Sequence, residues 1–129
     1  MKRLLVLSSE HGLVEDFQST LDGLCKIEVT CYQSCCELME GFLTLHTDMI
    51  MLDIDLLKER VTHLINVLKL IKNSIVIILI LSEEHISICK QALPLGIHSY
   101  LIKPVSGKEL FRILDPILQH GNSRLEKDI

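Results

Sequence analysis

Residues 49–53 read Met-Ile-Met-Leu-Asp. A stretch that is apolar at successive positions needs cover on both faces, which is the environment of a central strand in a parallel sheet. A carboxylate that follows directly lies at the carboxyl edge of that sheet, where open α/β folds gather their chemistry. Two further apolar runs end in the same way, residues 74–82 on Ser82 and residues 99–103 on Lys103. Asp53, Ser82 and Lys103 at the ends of three parallel strands make a candidate phosphoryl site.

The rest of the chain supplies the other strands and the helices between them. Residues 2–8 form a first strand around Leu4, Leu5, Val6 and Leu7. Leu13, Phe17, Leu21 and Leu24 recur at helical spacing, with Gly23 weakening the last turn. Residues 25–32 alternate apolar and polar, as expected of an edge strand with one face exposed. Ser34 caps a helix to residue 45, and Glu37 three places on completes a capping box. After the strand at 48–53, residues 54–60 read as a mixed loop and 61–71 as a helix. The strand at 74–81 is followed by a weaker helix at 84–93, broken by Pro94 and Gly96. A fifth strand spans 98–102, and Ser106 with Glu109 caps the last helix, in which Pro116 predicts a kink or an early break. Strands alternating with helices of about ten residues imply right-handed crossovers and one doubly wound parallel sheet. Residues 1–120 form one (βα)5 domain, and 121–129 read as a polar tail or the start of a linker to an output domain.

Composition narrows the function. With 129 residues and 48% hydrophobic content the chain is long and apolar enough for a real core. A formal net charge of -4 argues against this domain gripping nucleic acid by itself. The apolar runs are too short for membrane spans, and the N-terminus has no cleavage-like site, so a cytoplasmic location is expected. The five cysteines, Cys25, Cys31, Cys35, Cys36 and Cys89, lack zinc-type spacing and read as free thiols of a reducing compartment. Six histidines form no ligand pattern and read as ordinary. No glycine-rich or Ser/Thr-rich phosphate loop follows the first strand, which disfavours a flavin or nucleotide enzyme.

Met51-Leu52-Asp53, Leu81-Ser82 and Tyr100-Leu101-Ile102-Lys103-Pro104, approached by Gly96-Ile97-His98-Ser99, resemble the CheY-like receiver domain of bacterial two-component response regulators. The resemblance covers residues 2 to about 120. It implies a flavodoxin-like sheet of order 2-1-3-4-5. It also implies that Asp53 takes a phosphoryl group from a sensor histidine kinase or phosphotransfer protein. Ser82 would hydrogen-bond the phosphoryl oxygen and shift on activation, Lys103 would pair with Asp53, and Tyr100 would be an aromatic switch. The family's partners dock on, or the domain dimerises through, the face of the fourth helix, fifth strand and fifth helix, to which Lys108, Glu109 and Arg112 could add ion pairs. The implied setting is a phosphorelay controlling transcription. The domain would be no enzyme beyond self-catalysed phosphoryl transfer and autodephosphorylation.

The departures fall on the metal. The family ends its first strand with two adjacent acids that hold Mg²⁺ together with the phosphoacceptor. Ser8 and Ser9 stand there, and Glu10 follows one place late. Hydroxyls replace carboxylates poorly around a hard cation, so Mg²⁺ binding is expected to be weak. Asp53 would be joined by Asp55 or Glu10 as residual ligands. Ser8 and Ser9 read as inert replacements, and Glu10 otherwise as a solvated first-turn acid. Asp55 and Glu84, each two places past a site residue, make the entrance acidic. The alternative function is a pseudo-receiver, a phosphorylation-independent interaction or dimerisation module on the same fold.

Overall fold

The computed structural model describes residues 2–22 and 27–120. Its elements are β1 (Lys2–Leu7), α1 (His11–Asp22), β2 (Ile27–Tyr32), α2 (Cys35–Thr44), β3 (Met49–Asp53), a single helical turn Ile54–Leu57, α3 (Arg60–Ile71), β4 (Val76–Leu81), α4 (Ile86–Ala92), β5 (Ser99–Ile102) and α5 (Gly107–His120). Short 3₁₀ turns, Glu83–His85 and Leu93–Leu95, flank α4. The strands form one parallel sheet in the order β2-β1-β3-β4-β5. The fold expected from the sequence is the fold observed.

The period-two alternation of a strand divides each central run between two cores. Leu5, Leu7, Ile50, Leu52, Ile77, Leu79 and Leu81 face the layer of α2, α3 and α4. Leu4, Val6, Met49, Met51, Ile78 and Ile80 face α1 and α5, where Phe17, Leu110 and Leu114 cover them. All five residues of β3 are buried, which is why its sequence has no polar alternation until the strand ends.

Local chemistry sets the helix boundaries. The Ser34 and Ser106 hydroxyls accept hydrogen bonds from the backbone N–H of Glu37 and Glu109, at 3.2 and 3.1 Å. Gly96 takes a positive φ of 91° on the approach to β5, a conformation side-chained residues rarely adopt. The segment 54–60 differs from the expected loop. Asp53 accepts the Asp55 backbone N–H at 2.9 Å and so caps the turn Ile54–Leu57, whose Ile54 and Leu57 are buried under α3. The helix expected at 84–93 is tighter at both ends, where 3₁₀ turns replace α geometry. Pro116 lies inside α5 and the helix continues through it to His120. The expected start of the second strand at Cys25, together with Gly23, Leu24 and the tail at 121–129, lies outside the described residues.

Gly41 on α2 is buried directly beneath the Tyr32 ring at the end of β2, and a Cβ there would overlap the phenol oxygen. Gly41→Ala is therefore expected to push Tyr32 outward and to lower stability by about 1–3 kcal/mol despite the better helix propensity of alanine. Urea unfolding checks the energy, and a blue-shifted tyrosine absorbance difference spectrum, as for a phenol moved into water, checks the displacement.

Candidate functional site

The pocket follows from the same alternation. Ser8, Asp53, Ser82 and Lys103 each stand two positions beyond a residue that faces α1 and α5: Val6, Met51, Ile80 and Leu101. The ladders carry this parity past the strand ends, since Ser8 N–H donates to Tyr32 O at 3.1 Å and Lys103 N–H to Leu81 O at 2.8 Å. Four strand ends thus place four polar residues at one edge of one face.

Asp53 is buried, with 1% of its surface exposed, and both its carboxylate oxygens are engaged. Oδ1 accepts from the Asp55 backbone N–H at 2.9 Å and from Lys103 Nζ at 3.1 Å. Oδ2 accepts from the Ser8 hydroxyl at 2.7 Å and from Lys103 Nζ at 2.9 Å. Ser8 is itself buried, and its oxygen accepts the Glu10 N–H at 3.1 Å. Ser8 is therefore no inert replacement: its proton supplies part of the compensation that a buried carboxylate needs. Ser9 is exposed and contributes nothing comparable.

Asp55, expected at the pocket mouth, is the hub of the outer half. It accepts the Ser82 backbone N–H at 3.0 Å, the Ser82 hydroxyl at 2.6 Å and Lys103 Nζ at 2.9 Å. His85 Nδ1 lies 2.6 Å from Asp55 Oδ1. Burial alone pushes the Asp55 carboxyl up. The bonds from Ser82, Lys103 and His85 outweigh it and hold the group well below the ordinary carboxylate range. Because an ionised carboxylate only accepts, the His85 nitrogen facing it carries the proton. The Ser82 hydroxyl thus points at Asp55, and it does not cap the turn that follows.

Lys103 closes the cluster. Besides Asp53 and Asp55, its ammonium meets Glu10 Oε2 at 2.8 Å, so Glu10 is more than a solvated acid although its side chain is 52% exposed. Burial lowers the lysine's proton affinity, and the three carboxylates more than reverse this, holding Lys103 well above its ordinary value. Glu10, Asp53 and Asp55, the three residues expected to share a metal, do converge, but on an ammonium. Their four oxygens lie 2.8–3.1 Å from Nζ, whereas Mg²⁺ demands about 2.0–2.1 Å. Among the described residues no group of three or more His, Cys, Asp or Glu side chains is placed to hold a metal ion. As arranged, the donors fit an ammonium and do not fit Mg²⁺.

His85 is the site residue that sequence reasoning missed. The only signal was position: it lies three places past Ser82, and the 3₁₀ turn Glu83–His85 brings it back over the strand end. Glu84 is exposed to solvent, and Tyr100 is 43% exposed on β5. Of the cysteines described, Cys31 and Cys36 are exposed, Cys35 is half-buried and Cys89 is buried, all as free thiols. Burial pushes the Cys89 thiol up, away from reactivity. Among the described residues no helix is long and apolar enough to cross a membrane.

No protein-family model and no curated protein matches the sequence. Solved structures do match. A CheY-like response regulator receiver domain from Methanospirillum hungatei superposes with a TM-score of 0.83 at 17% identity, covering 96% of this chain and 98% of that one. The receiver domain of the TMAO respiratory system response regulator TorR gives 0.82 at 22% identity, over 93% and 98%. The response regulator DrrB of Thermotoga maritima, an OmpR/PhoB homologue, gives 0.78 at 14% identity over 94% of this chain, which spans only 54% of DrrB. With the strand order, the helices on both faces and the acid at the end of β3, these likenesses establish that the chain has the fold of a response regulator receiver domain.

Proposed function

We propose that this domain is a pseudo-receiver: a signalling module that acts through protein contacts and does not depend on phosphorylation of Asp53. The observation that carries this reading is the closure of the pocket around Asp53. Its side chain is buried and each of its oxygens already accepts two hydrogen bonds. In-line attack needs a free oxygen with a clear path, and the incoming phosphoryl oxygens need positive charge that is not already committed. Here the one ammonium is shared among three carboxylates. The contact face in this reading is that of α4, β5 and α5: Leu93, in the turn after α4, and Tyr100 on β5 expose 45% and 43% of their surface, and Lys108 and Arg112 are exposed on α5.

The second reading is the phosphoacceptor receiver of a two-component system, with a histidine kinase as donor and an output domain beyond residue 120. It is favoured by one observation: Asp53, Lys103 and Ser82 do gather at one edge of the sheet, the lysine on both oxygens of the acid. The two readings part in a single experiment. The folded chain is incubated with acetyl phosphate or phosphoramidate, with and without MgCl₂, beside Asp53→Asn, and intact mass is measured. The expected result is no added phosphoryl mass in any sample and a sedimentation profile unchanged by the donor. A Mg²⁺-dependent adduct that disappears in Asp53→Asn would establish the phosphoacceptor reading instead.

A further inference from the structure

We propose that the Lys103 ammonium is the resident cation of this pocket, that the domain accordingly takes up no divalent metal, and that removing the ammonium turns the same carboxylates into a divalent-cation site. This concerns only which cation the pocket holds: a Mg²⁺-dependent phosphoryl adduct on Asp53 would count against it, whereas the absence of phosphorylation leaves it to be decided by the test below.

The case rests on how every donor is committed. Glu10 Oε2, both oxygens of Asp53 and Asp55 Oδ2 all meet Nζ. The remaining Asp55 oxygen is taken by His85 Nδ1 and the Ser82 N–H. Ser8 directs its proton at Asp53 and accepts from Glu10 N–H, so the hydroxyl nearest Asp53 is not turned toward a cation. A divalent ion could enter only by expelling an ammonium tied to the end of β5, where Lys103 N–H is fixed to Leu81 O at 2.8 Å. The side chain is only 12% exposed, so it has little solvent to retreat into.

The spacing separates the two kinds of cation. Oxygens 2.8–3.1 Å from a common centre suit N–H···O bonds. Divalent ions pull oxygens in to about 2.0–2.6 Å. With the ammonium gone, three carboxylates would face one another uncompensated. A divalent ion is then the group that relieves them. Glu10, half-exposed on its loop, can follow the smaller radius, and Asp53 offers two oxygens.

The test is thermal unfolding of the full chain with about 10 mM MgCl₂ or CaCl₂ against NaCl of matched ionic strength. Wild type is expected to shift by less than about 1 °C. Lys103→Met is expected to rise by about 4 °C or more with either divalent salt, and Glu10→Gln added to it is expected to remove most of that rise. A comparable rise in wild type overturns the proposal, and so does a folded Lys103→Met that ignores both salts. If that variant stays unfolded throughout, amide NMR of wild type decides: resonances of Glu10, Asp53 and Asp55 that do not move with MgCl₂ support the proposal, and saturable movement overturns it.

Discussion

Lys103→Met, in the absence of divalent ions, is expected to destabilise the fold by about 3–5 kcal/mol, because it strips the partner from a buried carboxylate and leaves the charge uncompensated. Methionine preserves the unbranched stem, so the loss is electrostatic more than steric. For a domain of this size the melting temperature should fall by about 10 °C or more. Asp53→Asn should soften the penalty, since the double variant no longer buries an unpaired anion, and a double-mutant cycle measures that coupling. The lysine also leaves a mark on the pH profile. Its native proton affinity is raised above the unfolded value. Its contribution is therefore complete below about pH 10.4 and drains away as the pH rises from there toward the native value. Wild type should lose stability along that alkaline limb, and Lys103→Met should show much less of it. A limb of equal depth in both proteins would mean that the ammonium is not the group responsible.

Asp55→Asn is expected to cost about 2–4 kcal/mol and to reorganise the outer half of the pocket. The amide keeps the shape of the carboxylate but not its charge, and it turns an N–H₂ toward at least one of the donors that Asp55 accepts from. Ser82 and His85 lose their common anchor, so their resonances should shift together. The sign of the pH effect is opposite to that of the lysine. The Asp55 carboxyl is depressed, so its stabilisation is complete above the unfolded value of about 3.9 and is lost as the pH falls from there toward the native value. Denaturant midpoints measured from pH 6 downward should decline more steeply below about pH 4 in wild type than in Asp55→Asn. His85→Ala should reproduce part of the second effect without the first, removing one of the donors while leaving the carboxylate charged.

The outcome at Ser8 shows where chemical analogy fails. As a replacement for an acid, serine looked like a plain loss of charge. In the fold its hydroxyl reaches Asp53 at 2.7 Å and stabilises the carboxylate with a donor. A second carboxylate in that place would repel the same group unless a cation lay between them. The exchange of an acid for a hydroxyl and the commitment of the lysine to three carboxylates are thus two sides of one arrangement.

Much of this protein could be read from its chain. Continuous apolar runs required a covered parallel sheet, and the residue that ended each run was bound to lie at its carboxyl edge. Period-two alternation then put Ser8, Asp53, Ser82 and Lys103 on one face, because each is two steps from a core residue of its strand. The caps at Ser34 and Ser106 were equally local, set by one side chain and a nearby N–H. The turn at 54–57 was not, since its apolar residues are ordered by α3 packing over them. Nor could sequence say which donor meets which acceptor. Asp55, Glu10 and His85 sit on turns whose paths depend on packing, and nothing within a few residues of them fixes their bearings. The meeting of Glu10 and Asp55 on Lys103, across separations of up to 93 residues in the case of Glu10, and of His85 on Asp55, exists only once the sheet has brought the strand ends together. Strand alternation is a property of neighbouring peptide units, so the sequence determined the sheet and its edge. The sharing of one ammonium among three carboxylates depends on distances between segments far apart in the chain, and that only the tertiary structure decided.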